Sequence, residues 1–473
     1  MIARWGVVVA LGVGLVSQVA AQRPGGQGGS RQPIQPTTHL SVPAHPFDVI
    51  LCRPTSDSMT ASVLWYEDAE AFIEYGPRPG AYDARTPVSR FRKGEAVEVV
   101  LSPLRPDTQY FYKLRSARTS SDEYTFHTAR PVGRTFTFTV TADSHLDDRT
   151  DPATYQRTLA NARADSPDFH VDLGDTFMTD KHASRENAAR QYVAQRFFFG
   201  QLGRSVPLFL VLGNHDGETP RGPGRDPADL AVWSNTMRKR YFPNPVPDRF
   251  YTGDVTKHPA AGLLADYYAW QWGDALFVVL DPFWNTQQPR GARDNWSRTL
   301  GREQYDWLKR TLETSRATFK LVFIHNLVGG SDAQGRGGSE AARLFEWGGR
   351  NADGTDGFKQ NRPGWPAPIH QLLVQNRVSI VFHGHDHFYA KQELDGVVYQ
   401  EVPQPGNPGT DRVPRSATDY GYRDGVILGG SGHMRLEVSP AKLTAAYIRV
   451  SAGPGGQVAH TYSITPKPGT SER

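Results

Sequence analysis

The stretch Val378-Ser379-Ile380-Val381-Phe382-His383-Gly384-His385-Asp386-His387 joins an apolar run directly to a glycine flanked by histidines. The β-branched residues at its start predict a buried strand, and Gly384 predicts a turn where that strand ends. Neutral imidazoles bind transition metals well, so His385 and His387 on one turn can serve a single metal-binding cleft. A histidine pair is also common at protein surfaces, and four further polar clusters decide between the two interpretations.

Upstream of this stretch, from Phe136 onward, strand-length apolar runs alternate with segments of helical spacing, which predicts a layered α/β domain. Open α/β sheets bind ligands at the carboxyl ends of their strands, so the chemistry is expected there. The predicted strands are 136–141, 169–173, 207–212, 276–280, 321–324 and 378–382, and the predicted helices include 154–164, 188–199, 302–314 and 368–376. Three later β-type runs, 397–402, 434–438 and 443–448, are expected to complete the sheets.

Polar clusters follow five of these strands. They are Asp143-Ser144-His145, Gly174-Asp175, Gly213-Asn214-His215-Asp216, His325 and Gly384-His385-Asp386-His387. Any one such cluster could be a helix cap or a turn, since aspartate and asparagine often follow strands in those roles. Together the five supply carboxylates, an amide oxygen and imidazoles, which is more than one ion needs and suits two.

The ordered set D-x-H, G-D, G-N-H-D, a single His and G-H-x-H resembles the calcineurin-like metallophosphoesterase superfamily over residues 132–473. The resemblance implies a four-layer α/β/β/α sandwich and a metal-dependent phosphoric ester hydrolase. Its implied metal ligands are Asp143, His145 and His387 for the first ion, Asn214, His325 and His385 for the second, and Asp175 as the bridge between them.

The same resemblance implies that a metal-bridging hydroxide attacks a small phosphate ester in line. His215 is the implied catalytic residue, which protonates the leaving oxygen or stabilises its charge. Asp216 is a second catalytic candidate that would orient His215, although Asp216-Gly217 is also typical of an ordinary turn. We expect a phosphomonoesterase, with a phosphodiesterase or nucleotidase as the alternative. A β-domain binding protein without activity is a third hypothesis, which the complete ligand set argues against.

The expected cofactors are two divalent or mixed-valence transition metal ions. Purple acid phosphatases place a tyrosinate ligand three residues after the bridging aspartate, where this chain has Met178, and they tend to have Gly at the position of His145. We therefore predict no tyrosinate-to-iron charge-transfer colour, and the metals remain open among Fe, Mn and Zn. Three other histidines, His170, His370 and His383, are predicted to be structural.

Residues 41–130 alternate short β-type runs with turn signals and show no helical period, which predicts an all-β sandwich. The segment 104–112 resembles the tyrosine corner of fibronectin type III domains, in which a Tyr hydroxyl ties the start of a strand to upstream backbone. An all-β domain ahead of a metallophosphoesterase domain is similar to the architecture of purple acid phosphatases. The fibronectin type III fold hosts many functions, so the front domain does not itself indicate a chemistry.

The N-terminus begins with one cation, Arg4, and the apolar run 5–16, and it reaches Val19-Ala20-Ala21. This pattern predicts a cleaved signal peptide over residues 1–21 rather than a retained anchor, because the run is short for a membrane span. Residues 22–40 are rich in Gly, Gln and Pro, which predicts a disordered linker. We expect a secreted or periplasmic protein with no membrane anchor after cleavage.

The formal net charge of +4, from 53 cations and 49 anions, comes without any basic run, so nucleic-acid binding is not indicated. The single cysteine, Cys52, cannot form an intramolecular disulfide. Two insertions, 217–262 and 329–366, follow ligand positions and are expected at the cleft rim. Arginines of the second insertion either grip a phosphate or are solvated loop charges; they are Arg336, Arg343 and Arg350.

Overall fold

The computed structural model describes residues 40–220, 229–286, 295–409, 412–451, 453 and 455–467. The predicted signal peptide, 1–21, and the predicted linker up to residue 39 lie outside the described residues. Within the described ranges, no helix combines the length and the apolar character that a membrane crossing requires.

The front domain is a β-sandwich, as predicted. Its first sheet has the order β1-β2-β6, and its second has the order β4-β3-β7-β8 with β5 paired to β3. The strands are β1 Phe47–Cys52, β2 Met59–Trp65, β3 Ala69–Gly76, β4 Ala84–Arg85, β5 Ser89–Phe91, β6 Ala96–Leu101, β7 Gln109–Ser116 and β8 Tyr124–His127. The inward side chains of both sheets form one core, and Cys52 is buried. The predicted tyrosine corner is also present, because the Arg105 N–H donates to the Tyr110 hydroxyl at 2.9 Å.

The second domain is built on two sheets, of six and eight strands over the described residues. The six-stranded sheet has the order β11-β10-β9-β22-β23-β24, and the eight-stranded sheet has the order β12-β15-β16-β17-β18-β20-β19-β21. The strands are β9 Phe136–Thr141, β10 Phe169–Asp172, β11 Leu208–Leu210, β12 Thr252–Gly253, β13 Lys257–His258, β14 Gly262–Leu263, β15 Tyr268–Trp272, β16 Ala275–Val279, β17 Phe319–Phe323, β18 Ile380–His383, β19 Tyr389–Leu394, β20 Val397–Glu401, β21 Val426–Leu428, β22 Gly432–Val438, β23 Leu443–Arg449 and β24 Gln457–Ile464.

The two sheets pack face to face through aromatic side chains. Phe138 of the smaller sheet meets Phe277 of the larger sheet edge to face, with ring centroids 5.1 Å apart. Phe323 and Phe382 stack on the same inner face, with centroids 4.9 Å apart. All four rings are fully buried. Period-two alternation sends these residues inward and their neighbours toward the helices. Those neighbours are threonines in β9, and they include Val322 in β17 and Val381 in β18.

Helices cover the outer face of each sheet, which completes the predicted four-layer α/β/β/α arrangement. Over the described residues they are α1 Pro152–Ala164, α2 Arg185–Gly203, α3 Leu230–Tyr241, α4 Arg302–Thr314, α5 Phe345–Gly348, α6 Phe358–Asn361, α7 Ile369–Gln375 and α8 Val413–Asp419. Leu159 of α1 packs in the cluster outside the six-stranded sheet, and Leu308 of α4 and Leu372 of α7 pack in the cluster outside the eight-stranded sheet. Asp151 caps α1 by accepting the Thr154 N–H at 3.0 Å.

The front domain is joined to the second domain by buried polar contacts. The guanidinium of Arg196, on α2, is fully buried and donates to the Ser62 hydroxyl at 3.0 Å and to the Ser62 carbonyl at 2.8 Å. The Tyr112 hydroxyl of β7 donates to the Arg204 carbonyl at 2.6 Å. Since a buried charge is costly unless it is hydrogen-bonded, Arg196 ties the stability of both domains together.

The structure contains elements that the sequence did not predict. The insertion 217–262 carries α3, which Asp229 caps by accepting the Ala231 N–H at 3.0 Å. The insertion 329–366 carries the short helices α5 and α6. Strand β24, at the edge of the six-stranded sheet, was not expected, because its residues are mostly exposed or half-buried and lack a core-like pattern.

Candidate metal centre

The predicted ligands all lie at the carboxyl ends of parallel strands. Strands β9, β10 and β11 run parallel in the six-stranded sheet, and β17 and β18 run parallel in the eight-stranded sheet. Because the two sheets face each other, these ends meet at one edge of the sandwich. The seven predicted ligands stand there together: Asp143, His145, Asp175, Asn214, His325, His385 and His387.

The first candidate group consists of Asp143, His145 and His387, whose ligand atoms lie within 4.8 Å of one another. Oδ1 of Asp143 is 3.6 Å from Nε2 of His145 and 3.3 Å from Nε2 of His387. Both Asp143 Oδ1 and His145 Nε2 are buried and have no hydrogen-bond partner among the described residues. Buried polar atoms are rarely left unpaired, so these two atoms fit a bound cation.

The second candidate group consists of Asp175, His325 and His385, again with ligand atoms within 4.8 Å. Nε2 of His325 is 3.5 Å from Oδ2 of Asp175. The amide oxygen of Asn214 is 3.1 Å from the same Nε2, which places the predicted fourth ligand beside the group. Imidazoles, a carboxylate and an amide oxygen form a donor set that suits a transition metal.

Asp175 lies between the two groups. Its Oδ2 is 3.6 Å from Nε2 of His145 in the first group and 3.5 Å from Nε2 of His325 in the second. Its Oδ1 accepts the His215 N–H at 2.7 Å, which fixes the carboxylate plane. One carboxylate in this position can reach both sites, as the predicted bridging role requires.

Backbone strain is concentrated at the ligands. Five of them have positive φ angles, a conformation that is uncommon for residues other than glycine: Asp143 at 57°, His145 at 44°, Asp175 at 55°, His385 at 80° and His387 at 70°. Such residues cost of order 1–3 kcal/mol each and persist where the surrounding structure imposes them. The fold therefore holds these side chains in place at a cost in stability, as functional sites commonly do.

Two glycines allow the ligand loops to approach each other closely. A Cβ at Gly384 would stand 2.6 Å from Oδ2 of Asp143, and a Cβ at Gly213 would overlap the backbone nitrogen of Asp175. The His385 N–H donates to that Asp143 oxygen at 2.8 Å. Glycine at both positions thus allows the turn after β18 to contact the loop after β9. It likewise allows the loop after β11 to contact the loop after β10.

The electrostatics of the site keep its carboxylates ionised. Burial alone would raise the pKa of the Asp143 carboxyl, but the imidazoles of His387, His145 and His325 hold that pKa well below its usual range. Burial likewise opposes ionisation of Asp175, and His325 and His215 lower its pKa. Ionised carboxylates are the ligand form that a cation requires.

His215 lies beside the second ligand group, and it belongs to neither of the two ligand groups. Its Nδ1 lies 2.9 Å from Oδ1 of Asp180, a residue that the sequence did not single out. Asp180 sits in the 3-10 turn Thr179–Lys181, five residues after Asp175 in the same loop. Asp180 is therefore the residue that orients the His215 ring.

Asp216 does not take the orienting role considered for it. Its buried carboxylate accepts backbone N–H groups of Gly213 at 2.7 Å, Thr176 at 2.8 Å and Phe177 at 2.8 Å. These bonds tie the β10 loop to the β11 loop. Burial, together with the charge of Asp175, raises the pKa of Asp216 to about 7. Asp216 thus joins the two loops by accepting hydrogen bonds from their backbone.

Two buried glutamine side chains of helix α2 donate hydrogen bonds to the ligand loops. The Gln195 side chain donates to the Thr176 carbonyl at 2.9 Å and to the Ser144 hydroxyl at 3.2 Å. The Gln191 side chain donates to the His145 carbonyl and, at 3.1 Å, to the Thr176 carbonyl. Both glutamines lie on α2, outside the ligand motifs, so no sequence signal pointed to them.

The histidines predicted to be structural have partners outside the ligand groups. The His170 ring lies 2.8 Å and 2.9 Å from the Thr139 and Thr141 hydroxyls. His383 Nδ1 is 2.7 Å from the Glu401 carboxylate, and His370 Nδ1 is 2.7 Å from the Tyr399 hydroxyl.

The arginines of the second insertion differ in exposure. Arg336 pairs with Asp332 at 3.3 Å and lies over the Tyr420 ring, with the guanidinium carbon 4.4 Å from the ring centroid. Arg343 and Arg350 are exposed. These contacts favour the interpretation of loop charges for Arg336, which is already paired with a carboxylate.

Sequence comparison identifies two families along the chain. Residues 136–389 match the calcineurin-like phosphoesterase family, and residues 46–128 match the N-terminal domain of purple acid phosphatases. Tartrate-resistant acid phosphatase type 5 of Homo sapiens is 26% identical over 290 residues, which cover 60% of this chain and 76% of that protein. The Mus musculus protein of the same name is 24% identical over the same length and coverage.

Comparison of folds agrees with the sequence comparison. The structure of PhoD is similar with a TM-score of 0.63 and 14% identity, covering 90% of this chain and 91% of that chain. Purple acid phosphatase PPD1 from yellow lupin (Lupinus luteus) seeds gives a TM-score of 0.59 and 17% identity, covering 88% and 74%. Because the calcineurin-like phosphoesterase match spans more than half of the chain, the protein belongs to that family of metal-dependent phosphoester hydrolases, with a purple acid phosphatase-like domain in front.

Proposed function

We propose that this protein is an exported phosphatase that hydrolyses small phosphate monoesters at a centre of two transition metal ions. The observation that carries the proposal is the position of Asp175. Its Oδ2 is 3.6 Å from Nε2 of His145 in the first group and 3.5 Å from Nε2 of His325 in the second. Asp143, His145 and His387 would hold the first ion, and Asn214, His325 and His385 the second. When bound, the pair of ions activates water for attack on phosphorus and withdraws charge from the phosphoryl oxygens.

The chain's own contribution to bond cleavage is the His215 imidazole. Its Nδ1 is held at 2.9 Å by Asp180, so the ring keeps one orientation relative to Asp175, whose Oδ1 accepts the His215 backbone N–H. A protonated His215 can donate its proton to the leaving oxygen, which a basic alkoxide needs during cleavage.

One cation beside the first ligand group, Lys181, favours a monoester as substrate. The half-buried Lys181 side chain lies near the carboxylates of Asp175, Asp180 and Asp147, and near Arg149. Arg149 already donates to the Asp147 carboxylate at 3.2 Å, so its charge is paired within the chain. A phosphate monoester carries roughly −1.5 to −2 charge near neutral pH. A diester carries roughly half of that, so positive charge at the rim favours the monoester.

Export rests on the sequence pattern of residues 1–21, namely one cation, a short apolar run and small residues at the predicted cleavage point. The proposed metals are Fe, Mn or Zn, because imidazole and carboxylate ligands serve all three. Met178 stands fully buried at the position where the purple enzymes have a tyrosinate. An iron-loaded preparation should therefore lack the tyrosinate-to-iron charge-transfer band.

The substrate proposal is tested by measuring kcat/KM of the metal-loaded protein on nitrophenyl phosphate and bis-nitrophenyl phosphate side by side. We expect the monoester to be the better substrate, and we expect Lys181→Met to shrink that preference. A higher kcat/KM on the diester would replace the proposal with a phosphodiesterase. Activity on neither compound would favour a binding protein that has lost catalysis.

A further inference from the structure

A tight turn of the second insertion, residues 330–337, lies against the second ligand group; we call it the Asp332 turn. The Asp332 carboxylate closes it by accepting the N–H groups of Gln334 at 2.9 Å, Gly335 at 2.9 Å and Arg336 at 3.0 Å. The ends of the turn are joined by the Ser331 N–H, which donates to the Arg336 carbonyl at 2.7 Å. The turn therefore has a defined shape, in which one carboxylate accepts three backbone N–H groups.

The Asp332 turn contacts a predicted metal ligand directly. The backbone carbonyl of Gln334 lies 3.1 Å from Nε2 of His385. A carbonyl oxygen can only accept a hydrogen bond, so this Nε2 must carry the proton. A neutral imidazole has one N–H and one lone pair, which leaves Nδ1 of His385 as the atom that can bind a cation.

The Asp332 turn also forms hydrogen bonds with the residues that follow His385 and His325 in the chain. The Gly337 N–H donates to the carboxylate of Asp386, next to His385, at 2.9 Å. The side-chain amide of Asn326, next to His325, donates to the Gly335 carbonyl at 3.3 Å. Gly335 has a φ of 90°, and a Cβ there would overlap the Arg298 guanidinium. The turn, the two histidine loops and Arg298 thus fit together closely.

We propose that the Asp332 turn is an outer-shell element of the second metal site, with Asp332 as a positioning residue that acts on His385 through the Gln334 carbonyl. This inference rests on the proposed two-ion centre. Groups that orient a ligating histidine typically change metal affinity by 10–100-fold when they are removed. Asp332 should therefore set the affinity of the second site and leave the first site unchanged.

The test is zinc binding to the full chain after chelator treatment, measured by competition with a chromophoric chelator. Asp332→Ala should weaken one of two sites by about 10–100-fold. Two reference variants, His385→Ala and His387→Ala, identify the weakened site as the second. Asp332→Asn keeps an oxygen that can accept the three N–H groups and should restore the wild-type affinity.

A matched control comes from the same insertion, where Asp353 accepts the Thr355 N–H at 3.0 Å in an exposed turn. Asp353→Ala should bind zinc like the wild type. Wild-type affinity in Asp332→Ala, or equal weakening of both sites, would overturn the proposal. A wild-type chain that binds no zinc would instead contradict the two-ion centre itself.

A second measurement does not depend on metal. Nitrogen-15 spectra of the histidine-labelled apoprotein, with His385→Gln used for assignment, report which ring nitrogen carries the proton. We expect the Nε2–H form of His385 in the wild type and a mixture of tautomers in Asp332→Ala. An Nδ1–H form in the wild type would overturn the role of the Gln334 carbonyl.

Discussion

The Nδ1 atom of His215 lies 2.9 Å from the Oδ1 atom of Asp180, although 35 residues separate them in the chain. The pair joins the loop after β11 to the loop after β10, next to the carboxylate that lies between the two ligand groups. A fixed imidazole beside the centre, outside both ligand groups, supports the proposed role of His215 in proton transfer to the leaving group.

The first prediction concerns the leaving-group dependence of His215→Ala. A strongly basic alkoxide needs a proton during cleavage and an acidic phenol does not, so the variant should slow an alkyl phosphate more than nitrophenyl phosphate. General acid catalysis typically contributes ~10²–10⁴-fold, which bounds the loss on the alkyl substrate. The measurement is the ratio of wild-type to variant kcat/KM on the two substrates, with metal content checked on the same preparations.

Asp180→Asn should reproduce the pattern of His215→Ala in a milder form, since the ring would remain but lose its charged partner. Equal losses on both substrates for both variants would mean that His215 stabilises charge on the phosphoryl oxygens instead. Loss of one ion in His215→Ala would make His215 a metal ligand.

The second prediction concerns Arg196, which links the domains. Arg196→Met leaves the Ser62 carbonyl, the Ser62 hydroxyl and the Asp48 carbonyl without their buried donor. Each unsatisfied buried group costs about 1–3 kcal/mol, so the free energy of unfolding should fall by several kcal/mol. Urea unfolding of the chelator-treated protein measures this change.

Arg163→Met is the matched control, because Arg163 is exposed and donates to the Gln201 carbonyl at 3.2 Å. It should change the free energy of unfolding by no more than about 0.5 kcal/mol. Equal stability of both variants would mean that the domain interface contributes little. The same contacts predict that a chain lacking residues 41–130 does not fold on its own.

The third prediction is a pH dependence of stability from His170. Burial lowers the pKa of this imidazole to about 3, and the nearby His433 adds to the shift. An unfolded histidine has a pKa near 6.5, so between these values the unfolded chain binds a proton that the folded chain does not. Stability from this group is therefore complete above about pH 6.5 and is lost as the pH falls toward 3.

Between pH 7 and pH 5, His170 should account for a loss of about 2 kcal/mol in the free energy of unfolding. His170→Gln removes the titrating ring, so its stability should fall less over the same interval. The comparison uses chelator-treated proteins, which excludes loss of metal at acid pH. Parallel curves for the two proteins would show that His170 is protonated in the folded chain.

The sequence located the candidate ligands because the polar clusters that supply them follow apolar strand-length runs, and the resemblance to the calcineurin-like family gave each residue its expected role. Position along the chain then placed Asp143, Asp175 and His325 at the same edge of the fold before any contact was known. Helix α4 was predicted with its observed bounds, since Tyr305, Leu308 and Leu312 recur at helical spacing and are fully buried.

The sequence failed where a role depends on a contact between distant side chains. Asp216 follows His215 in the chain, yet its carboxylate turns to the backbone of Gly213 and Thr176, and the distant Asp180 reaches the ring. Arg196 lies on helix α2, and an arginine on a helix is usually solvated, so nothing marked it as buried. Adjacency in sequence is a poor guide to which carboxylate faces a given imidazole.

The central claim is that Asp175 serves two metal ions at once, and metal content and turnover of Asp175→Asn, measured on one preparation, test it most directly. Asp165→Asn is the control, because that carboxylate also pairs with a histidine, His433 at 2.8 Å, outside the ligand groups. We expect two ions and full turnover in the wild type and in Asp165→Asn. In Asp175→Asn we expect the loss of bound metal and of turnover together, whereas two retained ions would contradict the bridging role.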